Sequence, residues 1–93
     1  MNFEWNIDKS ERNLRKHGIA FREALTVFSD ALSLTYPDID HSRDEERFLI
    51  IGLSSIGNVL VVSHTFREDN IRIISARRAT KKERNFYETN SKH

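Results

Sequence analysis

The sequence predicts an α+β domain in which an antiparallel sheet is packed against two short N-terminal helices and one C-terminal helix. Two early segments repeat apolar residues at helical spacing, and three later runs have the length and composition of strands. Hairpin-length turns separate those runs, so the strands should form an antiparallel meander with the helices on one face. With 93 residues the chain can build one compact core but not two, so residues 1–93 are expected to form a single domain.

The N-terminal region is predicted to contain a short strand and a capped helix. Phe3 and Trp5 alternate with polar residues, which is typical of a half-buried strand. Asp8 is a good helix N-cap, and the glutamate three residues later completes a capping-box pattern. The helix is expected over residues 9–16 and should end at Gly18 in a left-handed cap.

The remainder is predicted as a second helix, a strand meander and a final helix. The second helix is expected over residues 20–28, where apolar side chains share one helical face. Residues 30–34 lead into a short strand, and Pro37 forbids a central strand at the start of the acidic loop that follows. Strands are predicted at RFLIIGL, VLVVSHTF and IRIISA, joined by the turns SSIGN and REDN. Thr80 can cap the final helix with Glu83 as its capping-box partner.

Composition excludes several kinds of site. The chain has no cysteine, so it can form neither a disulfide nor a thiolate metal site. It contains no HxH, HxxxH or HExxH pattern, so we expect no metal ligands and no cofactor. No segment resembles a signal peptide or a membrane span, so we expect a cytoplasmic protein without a membrane partner.

Charge is distributed very unevenly, although the net charge is only +1. Among the Lys, Arg, Asp and Glu residues of segment 23–46, Arg43 is the only base; in segment 72–84, Glu83 is the only acid. The basic side chains of the second segment gather where the last strand meets the final helix. They are Arg72, Arg77, Arg78, Lys81, Lys82 and Arg84. The molecule should therefore be dipolar, with one basic face.

The arginines at this junction are candidates for binding phosphate or an acidic partner. Strand alternation puts Arg72 and Arg78 on one face of the last strand and Arg77 on the other. A three-residue REDN loop would place Arg67 beside Arg77, whereas a two-residue loop would place it beside Arg72 and Arg78. The sequence leaves both registers open. Arginine forks match phosphate oxygens, so such a cluster favours a binding site over scattered salt bridges.

Few side chains in the sequence are suited to proton transfer. His64 lies in an apolar strand pattern, which is more typical of a hydrogen-bonded core histidine, and His17 lies at a helix end. Glu83 and Tyr87 are four residues apart and can share a helix face. Tyr87 can donate a proton or stack on a base, or it can simply dock the helix on the sheet.

Two long patterns give the chain a family resemblance over residues 3–87. They are FEWNIDKSERNLRKHGIAFREA near the start and HTFREDNIRIISARRATKKERNFYE near the end, with Arg47 and Gly52 between them. KHGI and RIISAR together are the specific part. In these patterns the chain resembles the BrnT family, the toxin components of bacterial type II toxin–antitoxin systems, with a fold related to the RelE toxins.

The resemblance implies a RelE-like fold and a ribonuclease toxin that cleaves RNA and inhibits translation. It also implies a cognate antitoxin with a ribbon-helix-helix DNA-binding domain, so that operator DNA is bound only through the complex. We predict a metal-independent endoribonuclease. Its expected catalytic residues are Arg67, Arg77, His64, Glu83 and Tyr87, with His17 as a further proton-transfer candidate. Its expected RNA-binding residues are Lys9, Arg72, Arg78, Lys81 and Lys82.

An alternative is a non-catalytic interaction module whose basic face docks an acidic partner protein. The absence of a recognisable acid–base pair in the sequence favours this reading. Direct DNA binding by the chain alone is disfavoured, because no segment has the pattern of a recognition helix.

Overall fold

The computed structural model describes residues 1–90, which form an α+β domain with five strands, three α-helices and two 3₁₀ turns. The elements in chain order are β1 (Asn2–Glu4), α1 (Ile7–His17), α2 (Phe21–Ala24), the 3₁₀ turn Leu25–Ser29, β2 (Leu34–Pro37), the 3₁₀ turn Ile39–His41, β3 (Phe48–Leu53), β4 (Val59–Arg67), β5 (Asn70–Arg78) and α3 (Lys81–Asn90). The predicted α+β class is confirmed. The last three residues of the predicted domain 1–93 lie outside the described residues. Within residues 1–90 no helix is long and apolar enough to cross a membrane.

The five strands form one mixed sheet in the order β1-β5-β4-β3-β2. Strands β2 to β5 are an antiparallel meander, as predicted, but β1 runs parallel to β5 with Phe3 opposite Ile71. The prediction of a wholly antiparallel sheet was therefore wrong. Short turns impose the antiparallel direction on the meander, whereas both helices and three strands separate β1 from β5 and leave its direction free. Strand β2 lies at the edge, where Pro37 is tolerated.

The two faces of the sheet carry separate apolar clusters, and we call these faces back and front. The back face is covered by α1, α2 and the turn Leu25–Ser29. Its buried cluster contains Ile19, Phe21, Ala24, Val27, Ile50, Leu60, Val62, Ile73 and Ala76. The front face is partly covered by α3. Its smaller buried cluster contains Ile51, Val61, Ala79 and Tyr87.

The helices thus lie on both faces, which corrects the expectation that they share one. The chain leaves β5 through Ala79, which is buried in the front cluster and whose N–H donates to the Val59 carbonyl. Only Ala79 and Thr80 separate β5 from α3, so the helix begins on the front side. Much of the front face beside α3 stays open.

Helix α1 begins earlier than the sequence suggested and ends where predicted. Its N-cap is Asn6, whose Oδ1 accepts from the Lys9 N–H at 3.0 Å, so the expected Asp8 cap was wrong. Gly18 has φ of 72°, and its N–H donates to the Leu14 carbonyl. This confirms the left-handed cap, a conformation that residues with a Cβ adopt only with strain.

The Asn13 side chain fastens α1 to the sheet. Beyond the pairing of Glu4 with Arg72, β1 ends and the outer edge of β5 loses its neighbour. There Asn13, which is buried, donates to the Ala76 carbonyl at 2.8 Å and to the Ile19 carbonyl at 2.9 Å. Its oxygen accepts from the Ala76 N–H at 3.1 Å. One amide therefore replaces a strand at this edge.

The second predicted helix is only partly α-helical. Residues 21–24 are α-helical, and the chain then tightens into the 3₁₀ turn Leu25–Ser29. This turn presses against β3 at Gly52, where an added Cβ would lie 3.3 Å from both Val27 Cβ and Asp30 Oδ2. The close approach lets Asp30 accept hydrogen bonds from the Leu53 N–H and from the Tyr87 hydroxyl.

We expect Asn13→Asp to destabilise the fold by roughly 2–4 kcal/mol, because two buried carbonyls lose their donors and a charge is buried beside them. Urea unfolding at pH 7 measures the change. Asn6→Asp is the matched control, since aspartate caps a helix as well as asparagine does. Equal stability of the two variants would contradict the role given to Asn13.

Candidate functional site

A β-bulge brings three arginines to the front face. Arg67 pairs with Asn70, so the turn is a two-residue loop. A register shift between Ser63 and His64 leaves Ile74 as an extra residue in β5. Because the bulge interrupts the strict alternation of β5, side chains 67, 72 and 77 all share the front face, which combines the two registers that the sequence left open. Arg78 lies on the back face.

Arg77 is held by a bidentate ion pair with Glu83 of α3. Its Nη1 donates to Glu83 Oε1 at 2.6 Å and its Nη2 to Oε2 at 2.9 Å. The Arg77 hydrogen bonds lower the pKa of Glu83 from 4.5 to about 2, and the same bonds raise the pKa of Arg77. Glu83 also accepts from the Thr80 N–H, and Thr80 Oγ1 accepts from the Glu83 N–H. The predicted capping box is confirmed, and one carboxylate both caps α3 and orients Arg77.

Beside this pair, a row of front-face side chains that includes two serines and Tyr36 crosses four strands. Tyr36 pairs with Leu49, Leu49 with Ser63 and Ser63 with Ser75. Desolvation, and then the negative charge of Glu83, raise the pKa of Tyr36. Tyr36 was not among the predicted site residues, because only the pairing of β2 in the sheet and the position of α3 bring it near Arg77.

The other predicted arginines have contacts of their own. Arg72 Nη1 donates to Glu4 Oε2 at 2.9 Å. The pKa of Glu4 is lowered by its Asn70 hydrogen bond and by Arg72 and Arg67, so Arg67 also faces this carboxylate. Arg78 donates to the His17 carbonyl at 3.3 Å and thus supports the end of α1. These contacts join β1, β5 and α1.

His64 lies on the back face and does not meet Arg77. It is 1% exposed, and its ring contacts Phe28, Phe48 and Phe66 with centroids 4.8–6.0 Å apart. Desolvation lowers its pKa, although Nδ1 donates to the Val62 carbonyl. The imidazole is therefore neutral and closed to solvent, as the sequence pattern of a hydrogen-bonded core histidine suggested.

Tyr87 anchors α3. The side chain is buried, and its hydroxyl donates to Asp30 Oδ2 at 2.5 Å. Burial, with this hydrogen bond and the charge of Asp30, raises the pKa of Tyr87 to about 12. The geometry of Tyr87 therefore matches the alternative in which this side chain docks the helix on the sheet.

Two grooves lie near the Arg77–Glu83 pair: Glu83 lines an apolar one, and Ser75, two residues before Arg77, lines a basic one. A basic groove of about 290 Å³ separates α1 from β5, and its lining residues are Lys9, Arg12, Asn13, Lys16, His17, Ile74 and Ser75. An apolar groove of about 480 Å³ lies between β2 and α3, with Leu34, Tyr36, Ile51 and Phe86 among its lining residues. Lys9 was predicted, but Arg12 and Lys16 were missed, although their spacing from Lys9 places all three on one helix face. Lys81 and Lys82 are exposed at the start of α3.

Comparison with known proteins shows the family of this chain. The family described as "Ribonuclease toxin, BrnT, of type II toxin-antitoxin system" matches residues 5–83. The chain belongs to the BrnT family. The crystal structure of the Brucella abortus ribonuclease toxin BrnT is similar to it, with a TM-score of 0.67 and 21% identity over 87% of this chain and 99% of that chain. At this identity the likeness shows the fold. Comparison with curated proteins finds no match.

Membership of the BrnT family confirms the broad class of protein that the sequence resemblance implied. The chain is a type II toxin–antitoxin toxin of a ribonuclease family, so RNA and a cognate antitoxin are its expected partners. In the part of the chain that is described, no three histidine, aspartate or glutamate side chains converge in a way that could hold a metal ion.

We expect acid to weaken the fold through Glu83. Folding lowers its pKa from 4.5 to about 2, so its contribution is complete above 4.5 and is lost as the pH falls toward 2. Between pH 6 and pH 3, the free energy of unfolding should fall by about 1–2 kcal/mol more in the wild type than in Glu83→Gln. This range is discounted because the Arg77 side chain is 41% exposed.

Urea unfolding at the two pH values measures this difference. Glu88→Gln, an exposed change on the same helix, is the control and should keep the wild-type pH dependence. The same pH dependence in Glu83→Gln and the wild type would show that the ion pair contributes nothing.

Proposed function

We propose that this BrnT-family chain is a metal-independent endoribonuclease that cleaves RNA and thereby inhibits translation. The observation that carries the proposal is the Arg77 guanidinium, which Glu83 orients on the front face of the sheet. A fold related to the RelE toxins is part of the same proposal.

The reaction is attack of a ribose 2′-oxygen on the adjacent phosphorus. A bond forms between the 2′-oxygen and phosphorus, and the bond from phosphorus to the 5′-oxygen breaks. The 2′-hydroxyl proton passes to a base, and an acid protonates the departing 5′-oxygen. The products are a 2′,3′-cyclic phosphate and a 5′-hydroxyl. Arginine donors stabilise the charge that develops on the phosphate oxygens, the role that a metal ion has in other nucleases.

The structure supports unequal roles for the predicted residues. Arg77 contacts the phosphate. Arg67 pairs with Asn70 at the other end of β4, roughly 20 Å along the sheet, so it can only add positive potential to the same face. Glu83 orients Arg77, because a carboxylate whose pKa is about 2 accepts protons weakly. Among the proton-transfer candidates, His17 lines an open groove, whereas His64 and Tyr87 are buried. Geometry therefore favours His17 for proton transfer.

The RNA-binding proposal divides along the same lines. Lys81 and Lys82 on α3 and Lys9 on α1 are exposed, so they can attract and hold phosphates. Arg72 and Arg78 are already bonded to Glu4 and to the His17 carbonyl. They can add positive potential to the surface while holding β1 and α1 in place.

We also propose that a ribbon-helix-helix antitoxin covers residues 67–84 and that operator DNA is bound only through this complex, in the cytoplasm. Acidic side chains of the antitoxin would face Lys81, Lys82 and Arg84. An apolar side chain beside them would fill the groove between β2 and α3, at whose rim Phe86 is 49% exposed. Opposite charge around an apolar pocket is the usual anatomy of such an interface.

A non-catalytic interaction module remains the second candidate, and one observation favours it. Arg72 and Arg77 are already neutralised by Glu4 and Glu83. In this reading the front face docks an acidic segment, which displaces Glu83 from Arg77.

We expect Arg77→Ala to lower RNA cleavage by about 10²–10³-fold, because it removes a donor to the developing charge. Its stability should fall by about 1–2 kcal/mol, the range given above for loss of the Arg77–Glu83 pair, since the pair is partly exposed. Cleavage of an RNA oligonucleotide with EDTA present, and thermal melting, measure the two effects. Arg43→Ala, an exposed change in the acidic loop, is the control.

Full cleavage by a folded Arg77→Ala protein would remove this residue from the site. Cleavage that EDTA abolishes would contradict metal independence. Intact RNA in the presence of the wild type, together with tight binding of an acidic partner, would support the non-catalytic candidate.

Antitoxin affinity should weaken as salt rises, through slower association. Lys82→Glu should reduce the association rate, whereas Phe86→Ser should speed dissociation, because it removes an apolar contact. Surface plasmon resonance with the cognate antitoxin measures both rates, and Arg22→Glu on α2 is the control. A co-structure that leaves residues 67–84 open to solvent would contradict the masking proposal.

A further inference from the structure

Among residues 1–90, helix α1 carries a group of basic side chains that form no ion pair with a carboxylate. Two of the arginines predicted from the sequence are paired, Arg72 with Glu4 and Arg77 with Glu83. Within residues 1–90, by contrast, Lys9, Arg12 and Lys16 have no carboxylate within 4.0 Å. All three side chains are exposed. This part of the surface therefore attracts anions without first breaking an ion pair.

These three bases form a stripe on one face of α1. They are spaced at i, i+3 and i+7, which places them on one side of an α-helix over roughly 10 Å of its axis. Asn13 lies on the same side and is buried against Ala76, so the stripe is oriented toward β5. A stripe of this length can contact more than one backbone phosphate of a single strand.

The stripe forms one wall of the basic groove, and β5 forms the other. Ile74 and Ser75 line the groove opposite α1, and His17 lies at its C-terminal end. Ser75 also shares the front face with Arg77, two residues further along the strand, about 7 Å away. A chain of anions in the groove would therefore continue directly to the Arg77 guanidinium.

We propose that the groove between α1 and β5 binds the backbone phosphates of the RNA strand that runs on to Arg77. The proposal rests on the proposed ribonuclease function and adds the path of the substrate to it. Lys9, Arg12 and Lys16 contact successive phosphates, and the Ser75 hydroxyl bonds to the backbone where the strand turns onto the front face. Because these contacts are made to phosphates, they act on any sequence.

The test measures binding of a fluorescent 2′-O-methyl RNA oligonucleotide as a function of salt. This RNA has no free 2′-hydroxyl and cannot be cleaved by the proposed reaction, so binding is measured whether or not the chain is a ribonuclease. The variant is Lys9→Gln/Arg12→Gln/Lys16→Gln. The matched control is Arg15→Gln/Arg22→Gln/Arg43→Gln, which removes the same charge from exposed positions that do not line the groove.

We expect the groove variant to raise Kd by roughly 50-fold at 0.15 M salt, about 4-fold per phosphate contact, and to reduce the slope of log K against log salt by about 2. The control should leave that slope unchanged. Equal weakening in both variants would overturn the proposal, since net charge alone would explain it, and so would unchanged binding in the groove variant. The single changes Lys9→Gln and Lys16→Gln, each expected to cost about 4-fold, decide the matter if the triple variant fails to fold.

Discussion

The amide of Asn13 is the contact on which the rest of the arrangement depends. It forms three hydrogen bonds where the outer edge of β5, beyond β1, has no neighbouring strand. Two of these bonds satisfy the backbone of Ala76. Each such bond contributes only about 1 kcal/mol net, but a buried carbonyl or N–H left unpaired costs more. The same side chain bonds to Ile19 just after the Gly18 turn. The position of α1, the path into α2 and the edge of β5 are thus all determined at one point.

Acidic side chains serve the fold, and this explains why net charge is a poor guide to the surface. Glu23 Oε2 accepts from Ser54 and Asn58, tying α2 to the β3–β4 turn. Asp30 joins β3 to α3, and burial opposes its ionisation, but bonds from Leu53, Tyr87 and Leu32 outweigh burial and lower its pKa. These carboxylates are committed to internal contacts. The lysines and arginines of α1 and α3 remain in solvent, so the surface carries basic patches that a net charge of +1 does not reveal.

Local patterns predicted the elements well, and long-range pairing explains most of the failures. The left-handed cap at Gly18, the capping box of Thr80 with Glu83 and the strands β3 to β5 follow from spacing and turn chemistry within a few residues. The direction of β1 depends on a partner almost 70 residues away, for which the sequence offers no turn to fix the geometry. The bulge at Ile74 likewise leaves no recognisable pattern in the sequence, although it determines which arginines share a face. For the candidate site, charge clustering and capping-box spacing pointed to Arg77 and Glu83, and helical spacing alone is enough to predict the α1 stripe. The place of Tyr36 depends on tertiary neighbours.

The Glu83 carboxylate accepts hydrogen bonds both from Arg77 and from the start of α3. This dual contact has a consequence for the synthesis of the protein. Arg77 lies on a strand that is translated before α3. A nascent chain that ends with the sheet therefore lacks the Glu83 carboxylate that orients this guanidinium. The pair forms when the first turn of α3 folds, because the same carboxylate caps that turn. Synthesis therefore completes the Arg77 geometry in one late step, and a chain interrupted before residue 83 carries the sheet without an oriented Arg77.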